Sequence, residues 1–190
     1  MITTETVLSI FLGIGLASAS GFRVFLPMFA MSLASYFKVL ELNESFQFIA
    51  GLPAIITLGI ATIIEIFAYY LPFIDNLLDT IATPLAAIAG TVVMASTIVH
   101  LPTEMTWILA IIAGGGTASA MQGMTSVTRL ASSVKTAGIA NPIVATAETG
   151  TAALLSSLSI FAPIIAVILV FVLIAIVYFL YKKIRKISKS

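Results

Sequence analysis

The stretch that decides the fold is PAIITLGIATIIEIFAYYLPFIDNLLDTIATP, at residues 53–84. It contains one complete apolar span, a proline-marked elbow at residues 69–72 (YYLP), and then an acidic helix start that leads into another apolar span. Tyrosine is typical of the membrane–water interface, so we expect Tyr69 and Tyr70 to lie there. The stretch therefore predicts a chain that crosses a membrane, turns sharply and enters it again.

The span before the elbow has a counterpart late in the chain. The three matched pairs, each 91 positions apart, are Gly59 with Gly150, Ala61 with Ala152, and Pro72 with Pro163. A further match relates residues 15–19 (GLASA) to residues 116–120 (GTASA). We therefore predict a first membrane repeat at 1–100, a second at 101–181, and a basic tail at 182–190.

Composition supports a polytopic membrane protein. Of the 190 residues, 60% are hydrophobic and 9% are charged, whereas soluble domains have about 45–50% and about 25%. The absence of cysteine excludes disulfides and thiolate chemistry, and one histidine cannot build a zinc site alone. No pairing of a nucleophile with a base is evident, so we expect neither catalytic residues nor a cofactor, and the protein is predicted not to be an enzyme.

The apolar segments predict an all-α, polytopic transmembrane helix bundle of about six spans, since one span needs about 20 residues. The first and fourth segments are long and are expected to be broken, near Gly21 and near Gly123. Residues 38–50 are expected to form a polar connection. The predicted spans are 6–37, 51–71, 75–99, 105–134, 141–162 and 163–181.

Three spans in each half is an odd number, so the second half must enter the membrane from the opposite side. This predicts a 3+3 inverted repeat, a plan typical of secondary transporters, whose sites lie where broken helices meet. If the first and fourth segments were re-entrant, the repeats would instead be parallel. Lys182, Lys183 and Arg185 begin a basic tail that should be cytoplasmic, and six spans would put both termini on that side.

Four motifs in order carry a family resemblance. They are residues 20–27 (SGFRVFLP), residues 75–84 (DNLLDTIATP), residues 114–116 (GGG) with 122–123 (QG), and residues 141–148 (NPIVATAE). Together they resemble a bacterial integral-membrane family, the domain of unknown function numbered four-one-two-six. The resemblance implies a membrane fold in the bacterial cytoplasmic (inner) membrane. It implies no activity, and no functional residue can be carried over from it.

Two carboxylates are the main candidates for an ion-binding site. Inserting a charged side chain into a bilayer costs about 2.5–3.5 kcal/mol, so such residues usually face the protein interior and serve a function. Glu65 and Glu148 each lie about 10 Å from the cytoplasmic end of their predicted spans, at 1.5 Å per residue. They could coordinate a hard cation or share a proton. Alternatively, each could pair with Arg23, Arg129 or a serine and simply tie helices together.

Arg23 follows the predicted break at Gly21. Its guanidinium could bind an anion, neutralise a glutamate, or cap carbonyl groups freed by the break. Packing is the expected role of the small residues at every fourth position of this segment, because they let helices approach closely. Those residues are Gly13, Ala17 and Gly21.

The remaining candidates are polar residues near helix ends. Asp75, Asn76 and Asp79 share one face at the start of the third span, where they could form a vestibule for cations or merely cap the helix. Asn141 could start the fifth span with its free N–H groups aimed inward, although helix initiation alone explains it. Gln122, in the glycine-rich motif, completes the set.

These features predict a membrane transporter or channel for a small ion or solute, with a cation or proton favoured over an anion. The alternative is a membrane scaffold or partner-binding protein that transports nothing. The expected partners are the lipid bilayer and a small inorganic ion. A homo-oligomer is left open, and no binding to nucleic acid is expected.

Overall fold

The computed structural model describes residues 3–71, 74–136 and 138–187, without the side chains of 75, 76, 79, 135, 177, 178 and 180–187. The described residues form eight α-helices and contain no strand, which confirms the all-α prediction. A 3₁₀ helix at Glu44–Ala50 precedes α3, and a π-helical segment at Ala110–Gly115 joins α5 to α6. The α-helices are α1 Thr4–Ser20, α2 Phe25–Tyr36, α3 Leu52–Ala68, α4 Ile74–Thr97, α5 Thr103–Leu109, α6 Gly116–Thr136, α7 Asn141–Phe161 and α8 Pro163–Ile187.

Helices α1 and α2 form a hairpin. At the start of α1, Glu5 Oε2 lies 3.5 Å from His100 Nε2, just beyond the end of α4. Shortly after α2, the Asn43 backbone N–H and Nδ2 donate to the carbonyls of Ser96 and Ile98, each at 2.8 Å. Both ends of the pair therefore lie beside the same end of α4. Residues 21–24 form the apex, so the predicted break near Gly21 is observed.

The connection after α2 is less polar than expected. Leu42 and Ile49 are buried and pack with Leu12, Met31 and Val93 in one hydrophobic cluster. The 3₁₀ helix that carries Ile49 is bent by 67° from α3. The connection therefore buries two apolar side chains, whereas its charged residues Lys38, Glu41 and Glu44 are exposed, as expected of a polar connection.

From α3 onward, the chain runs alternately up and down the bundle. Helix α5, the π-helical segment and α6 together make one continuous pass. The end of α3 lies beside the start of α7, where the Tyr70 and Thr146 hydroxyls are 2.7 Å apart. The end of α6 and the start of α7 are joined by Asn141 Nδ2, which donates to Ser133 Oγ at 3.0 Å. Proline in the first turn, as in α3 and α7, marks a helix start because its missing N–H is not needed there.

The ends of the described chain lie at opposite ends of the bundle. Pro163, at the start of α8, lines the same cavity as Glu5 and His100. Helix α8 has 25 residues, which corresponds to about 37 Å at 1.5 Å per residue. This arrangement disagrees with the prediction that both termini share one side, because the first segment turns back at its apex instead of crossing the bundle.

The fourth segment is irregular, but at a different place from the one predicted. Gly123 lies in the middle of α6, and a Cβ atom there would meet nothing within 4 Å. The predicted break near Gly123 is therefore wrong, since an exposed glycine leaves the helical backbone hydrogen bonds intact. The irregularity is the π-helical segment, where a Cβ atom on Gly114 would lie 2.7 Å from Met94 Cβ of α4.

Within the described part of the chain, two helices are long and apolar enough to cross a membrane, namely the Thr80–Thr97 part of α4 and all of α7. A third span is obtained if the bent pair of the 3₁₀ helix and α3 counts as one. Three further apolar helices are shorter, at Thr4–Ser20, Phe25–Tyr36 and Pro163–Ile176. The count of six spans and the inverted repeat accordingly remain predictions.

Candidate functional site

The apex of the α1–α2 hairpin is held by a carboxylate from α3. A helix start leaves backbone N–H groups without partners, and no side chain of the apex itself caps α2. Glu65 supplies the missing acceptors, because its two oxygens accept the N–H groups of Val24 and Phe25 at 2.7 and 3.0 Å. Glu65 thus caps α2 from another helix, a role that neither sequence interpretation included.

Arg23, at the same apex, fastens the hairpin to α7. Its side chain is buried, with the residue 1% exposed. Its Nε donates to Thr149 Oγ1 at 3.0 Å, and its Nη1 donates to Glu148 Oε2 at 3.0 Å. The guanidinium also donates to the carbonyls of Phe22 and Ala145. Of the three roles considered for Arg23, the structure shows two, namely neutralising a glutamate and satisfying carbonyls near the break.

Glu148 joins a second arginine to the same group. Arg129 of α6 donates from Nε to Glu148 Oε1 at 3.0 Å, and its Nη2 donates to Glu148 Oε2, which also accepts from Arg23. All three side chains are buried. The bond between Arg129 and Glu148 uses both carboxylate oxygens, the geometry in which arginine pairs most strongly.

Tyr69 lies between the two arginines. The guanidinium carbons of Arg23 and Arg129 are 4.3 and 3.9 Å from the centre of its ring. Both distances fall within the range of cation–π attraction. Tyr69 is only 5% exposed, so its ring contacts other parts of the protein, and its predicted position at a membrane interface stays a prediction. A tyrosine at a proline elbow resembles an interfacial anchor, and only its tertiary contacts distinguish the two roles.

We call Arg23, Glu65, Tyr69, Arg129 and Glu148 the apex cluster. Two arginines and two glutamates give it no net charge when both carboxyl groups are ionised. Burying charges is costly unless they are paired and hydrogen-bonded, and the contacts described above meet that condition. The cluster therefore joins four parts of the fold: the hairpin apex, the end of α3, α6 and the first half of α7.

Two cavities flank the apex cluster. One, of about 240 Å³, reaches Glu65 and Tyr69 and is otherwise walled by apolar side chains of α2, α3 and α4. The other, of about 190 Å³, reaches Glu148 between α6 and α7, beside Phe22, Met121 and Thr125. Each buried glutamate thus borders a cavity of its own, and the arginines and Tyr69 lie between them.

The other predicted site residues are distributed around the cluster or lie outside the described part. Gln122 is buried on α6, where its Nε2 donates to Ser126 Oγ at 3.3 Å. Asn141 is buried at the start of α7, where it bonds Ser133 at the end of α6. The side chains of Asp75, Asn76 and Asp79 lie outside the described residues, so the proposed vestibule stays a prediction.

Sequence reasoning left two members of the apex cluster, Arg129 and Tyr69, outside the candidate set. It also left out Thr149, which bonds Arg23. Arg129 was considered only as a partner for a glutamate, and Tyr69 and Thr149 were not considered for the site. A signal for Tyr69 existed, because positions 65 and 69 are four apart and so share one helix face. Thr149 carried no such signal, since threonine next to a buried glutamate is common on helices.

No group of three or more histidine, cysteine, aspartate or glutamate side chains that could hold a metal ion occurs among the described residues. The two buried glutamates instead direct their oxygens toward arginine and backbone donors. A hard metal cation requires several oxygen ligands that are free to bind it. The carboxylate oxygens at the apex are already hydrogen-bonded to N–H groups, so the apex is better suited to a proton or an anion than to such a cation.

Comparison with known proteins identifies a family but no activity. No curated protein and no solved structure matches the chain. A family model described as a domain of unknown function, DUF4126, matches residues 10–183. The match covers all of the α1–α2 hairpin except residues 4–9, and it covers every residue of the apex cluster. The chain therefore belongs to the DUF4126 family.

Proposed function

We propose that this protein is an integral membrane transporter or channel for a small ion, and that the ion it handles is the proton. The observation that carries the proposal is the Glu65 carboxylate. It is buried in the interior, accepts two backbone N–H groups at the apex of a helical hairpin, and borders a cavity of about 240 Å³. A buried carboxyl group with a route to it is suited to exchanging a proton.

The surrounding architecture supports a location in a bilayer. If α3 to α8 cross the membrane, the α1–α2 hairpin becomes re-entrant, with its apex among protein side chains. Irregular backbone is tolerated at membrane depth only where protein or a cavity surrounds it. Ionisable residues at that depth usually mark an ion path or a proton relay. The basic tail at residues 182–190 favours a cytoplasmic end for α8, which would put the start of α1 outside.

The hydrogen bonding favours the proton over a metal cation. Both Glu148 oxygens accept from arginines, so a metal ion could bind there only by displacing a guanidinium. A proton needs far less room, and a protonated carboxyl group can still accept one hydrogen bond. The sequence predicted either a cation or a proton as the transported ion, and these hydrogen bonds favour the proton.

Glu65 is better suited than Glu148 to change its charge. The Glu148 carboxylate neutralises two arginines, and protonating it would leave buried positive charge without a direct partner. The direct partners of Glu65 are two neutral backbone N–H groups. Protonating Glu65 would weaken those two bonds without breaking an ion pair, so the exchangeable proton is assigned to Glu65.

Reconstituted protein in liposomes tests the proposal. Proton uptake driven by a potassium diffusion potential should exceed that of protein-free liposomes, and Glu65→Gln should return it to the protein-free rate. Glutamine keeps the shape and one acceptor, so the variant should still fold. Glu104→Gln, an exposed change in α5, is the matched control and should conduct like the wild type. Uptake no faster than in protein-free liposomes, or full uptake by folded Glu65→Gln, would refute proton transport.

A membrane scaffold is the second candidate function. It is favoured by the pairing of Glu148 with both arginines, which ties α6 and α7 to the hairpin as a structural cross-link would. A scaffold predicts no ion flux in the wild type together with a large loss of stability when Glu148 is neutralised. The loss of stability is expected under either function, so proton uptake by the wild type in liposomes is the measurement that separates them.

A further inference from the structure

The cavity of about 240 Å³ beside the apex cluster opens toward the outside of the bundle. Helix α3 packs along α2 and the 3₁₀ helix, and residues of α4 form the opposite wall of the cavity. The side chains of Ile64, Ile81 and Leu85 line the cavity and are also exposed on the outer surface. The opening therefore lies between α3 and α4, on a surface that faces acyl chains if the bundle spans a bilayer.

Glu65 provides a hydrogen-bond acceptor at the inner end of this cavity. It is 8% exposed, and its oxygens accept the backbone N–H groups of Val24 and Phe25, which line the cavity as well. A carboxylate has about four lone-pair sites. The two N–H groups therefore leave Glu65 able to accept a further hydrogen bond from a molecule in the cavity.

The charge balance of the apex cluster selects an uncharged molecule. With both glutamates ionised, the two arginines and two glutamates carry no net charge. A charged ligand would add a buried charge without a counter-charge, which is costly. An uncharged ligand with an O–H group can donate to Glu65 and leaves the balance unchanged.

The size and the walls of the cavity suit an aromatic ring. Phe25 and Tyr69 line it together with the small residues Ala61 and Ala68. Aromatic rings attract one another in offset and edge-to-face arrangements. An apolar cavity of about 150 Å³ is enough to bind benzene, so this larger cavity can hold a ring with a substituent.

We propose that the cavity at Glu65 binds an uncharged, lipid-soluble phenol that enters from the bilayer between α3 and α4. The ring lies against the apolar walls, and the phenol O–H donates to the Glu65 carboxylate. The site rests on the bilayer location given under the proposed function, but it does not require that the protein transports protons.

Binding of para-fluorophenol to the purified protein in detergent tests the site. Fluorine NMR separates saturable binding to the protein from the linear uptake of the compound by micelles. We expect saturable binding to the wild type. Binding of para-fluoroanisole should be at least about tenfold weaker, because its methyl ether cannot donate the hydrogen bond to a charged acceptor.

Two substitutions that fill the cavity locate the binding site. Ala61→Phe puts a ring of the protein in the place of the ligand and should abolish saturable binding. Ala153→Phe is the matched control, because it adds the same ring at an exposed position of α7 and should leave binding unchanged. Ala68→Leu fills less of the cavity and should weaken binding, so it serves as the test if Ala61→Phe does not fold.

Absence of saturable para-fluorophenol binding to the folded wild type would overturn the site, as would full binding by folded Ala61→Phe or Ala68→Leu. Equal affinities for para-fluorophenol and para-fluoroanisole would refute the hydrogen bond to Glu65, and with it the phenol as the class of ligand. Proton uptake by the wild type without phenol binding would refute the site and keep the proposed function. Phenol binding without proton uptake would keep the site and refute proton transport.

Discussion

Two regions of the bundle are held together by opposite means. At the apex cluster, four charged side chains and one aromatic ring connect the hairpin to α3, α6 and α7. At the contact of α4 with the π-helical segment, which we call the glycine interface, backbones meet almost directly. A Cβ atom on Gly90 would lie 2.6 Å from the Gly114 carbonyl oxygen, and one on Gly115 would lie 3.1 Å from that of Ala87.

The difference shows two ways in which the chain stabilises contacts between its helices. The glycine interface is stabilised by close packing of two helix backbones and involves no ionisable group. The apposition of α4 and the π-helical segment therefore does not depend on charge. The apex cluster depends on pairing among charges, and a change in any one charge alters all its partners. The stability of the apex cluster should therefore depend on the charge of its side chains, whereas that of the glycine interface should depend on side-chain size.

Removing the central charge of the apex cluster should have the largest effect. Glu148→Gln leaves Arg23 and Arg129 buried without their carboxylate, and breaking a buried ion pair from one side costs about 3–5 kcal/mol. We expect a large drop in the melting temperature of the protein in detergent. Glu104→Gln, exposed on α5, is the control, and equal melting temperatures for the two variants would show that the cluster does not stabilise the fold.

At the glycine interface, one added methyl group should be enough to disturb the packing. Gly114→Ala brings a Cβ atom to 2.7 Å from Met94 Cβ and 2.5 Å from the Gly90 carbonyl oxygen. Overpacking of this kind costs about 1–3 kcal/mol, which a melting curve in detergent would detect. Proton uptake per folded molecule should be unchanged.

The exposed Gly123 of α6 provides the matched control for this substitution. A Cβ atom there meets nothing within 4 Å, so Gly123→Ala should stabilise the helix by about 0.5–1 kcal/mol through the lost freedom of glycine. A loss of stability as large as that of Gly114→Ala would show that the close contact with α4 does not explain the result at Gly114.

A smaller effect is expected from the ring between the arginines. Tyr69→Leu keeps an apolar side chain but removes two cation–π contacts, worth about 0.5–2 kcal/mol each. Tyr69→Phe retains the ring and should recover most of the melting temperature. If the leucine and phenylalanine variants melted together, the contacts of Tyr69 with Arg23 and Arg129 would be simple packing.

The sequence predicted the helical class and the first break because those depend on local signals. Apolar runs indicate helices, and Ser20-Gly21 followed by Pro27 indicates an interruption. It did not predict that the first segment folds back on itself, since the same apolar run suits a crossing helix or a hairpin. The sequence also gave no reason to distinguish Gly123 from Gly114. Only the contact with α4 requires a glycine at position 114.

For the site, burial cost alone identified Glu65, Glu148 and Arg23. The sequence could not predict the hydrogen-bond partners of each carboxylate, because those partners come from other helices. The structural alternative for Glu65 was a pairing with an arginine or serine, whereas in the structure it caps a backbone. The contacts of Tyr69 with two arginines likewise depend on helices that are distant in sequence, so local signals did not predict them.

The bond between Arg23 and Glu148 also sets an order of events during synthesis. The two residues are 125 positions apart, so at about 5–20 residues per second the ribosome makes Glu148 about 6 to 25 s after Arg23. During that interval the hairpin apex carries a positive charge whose partner has not been made. Arg23 therefore cannot be buried against Glu148 until α7 has been made.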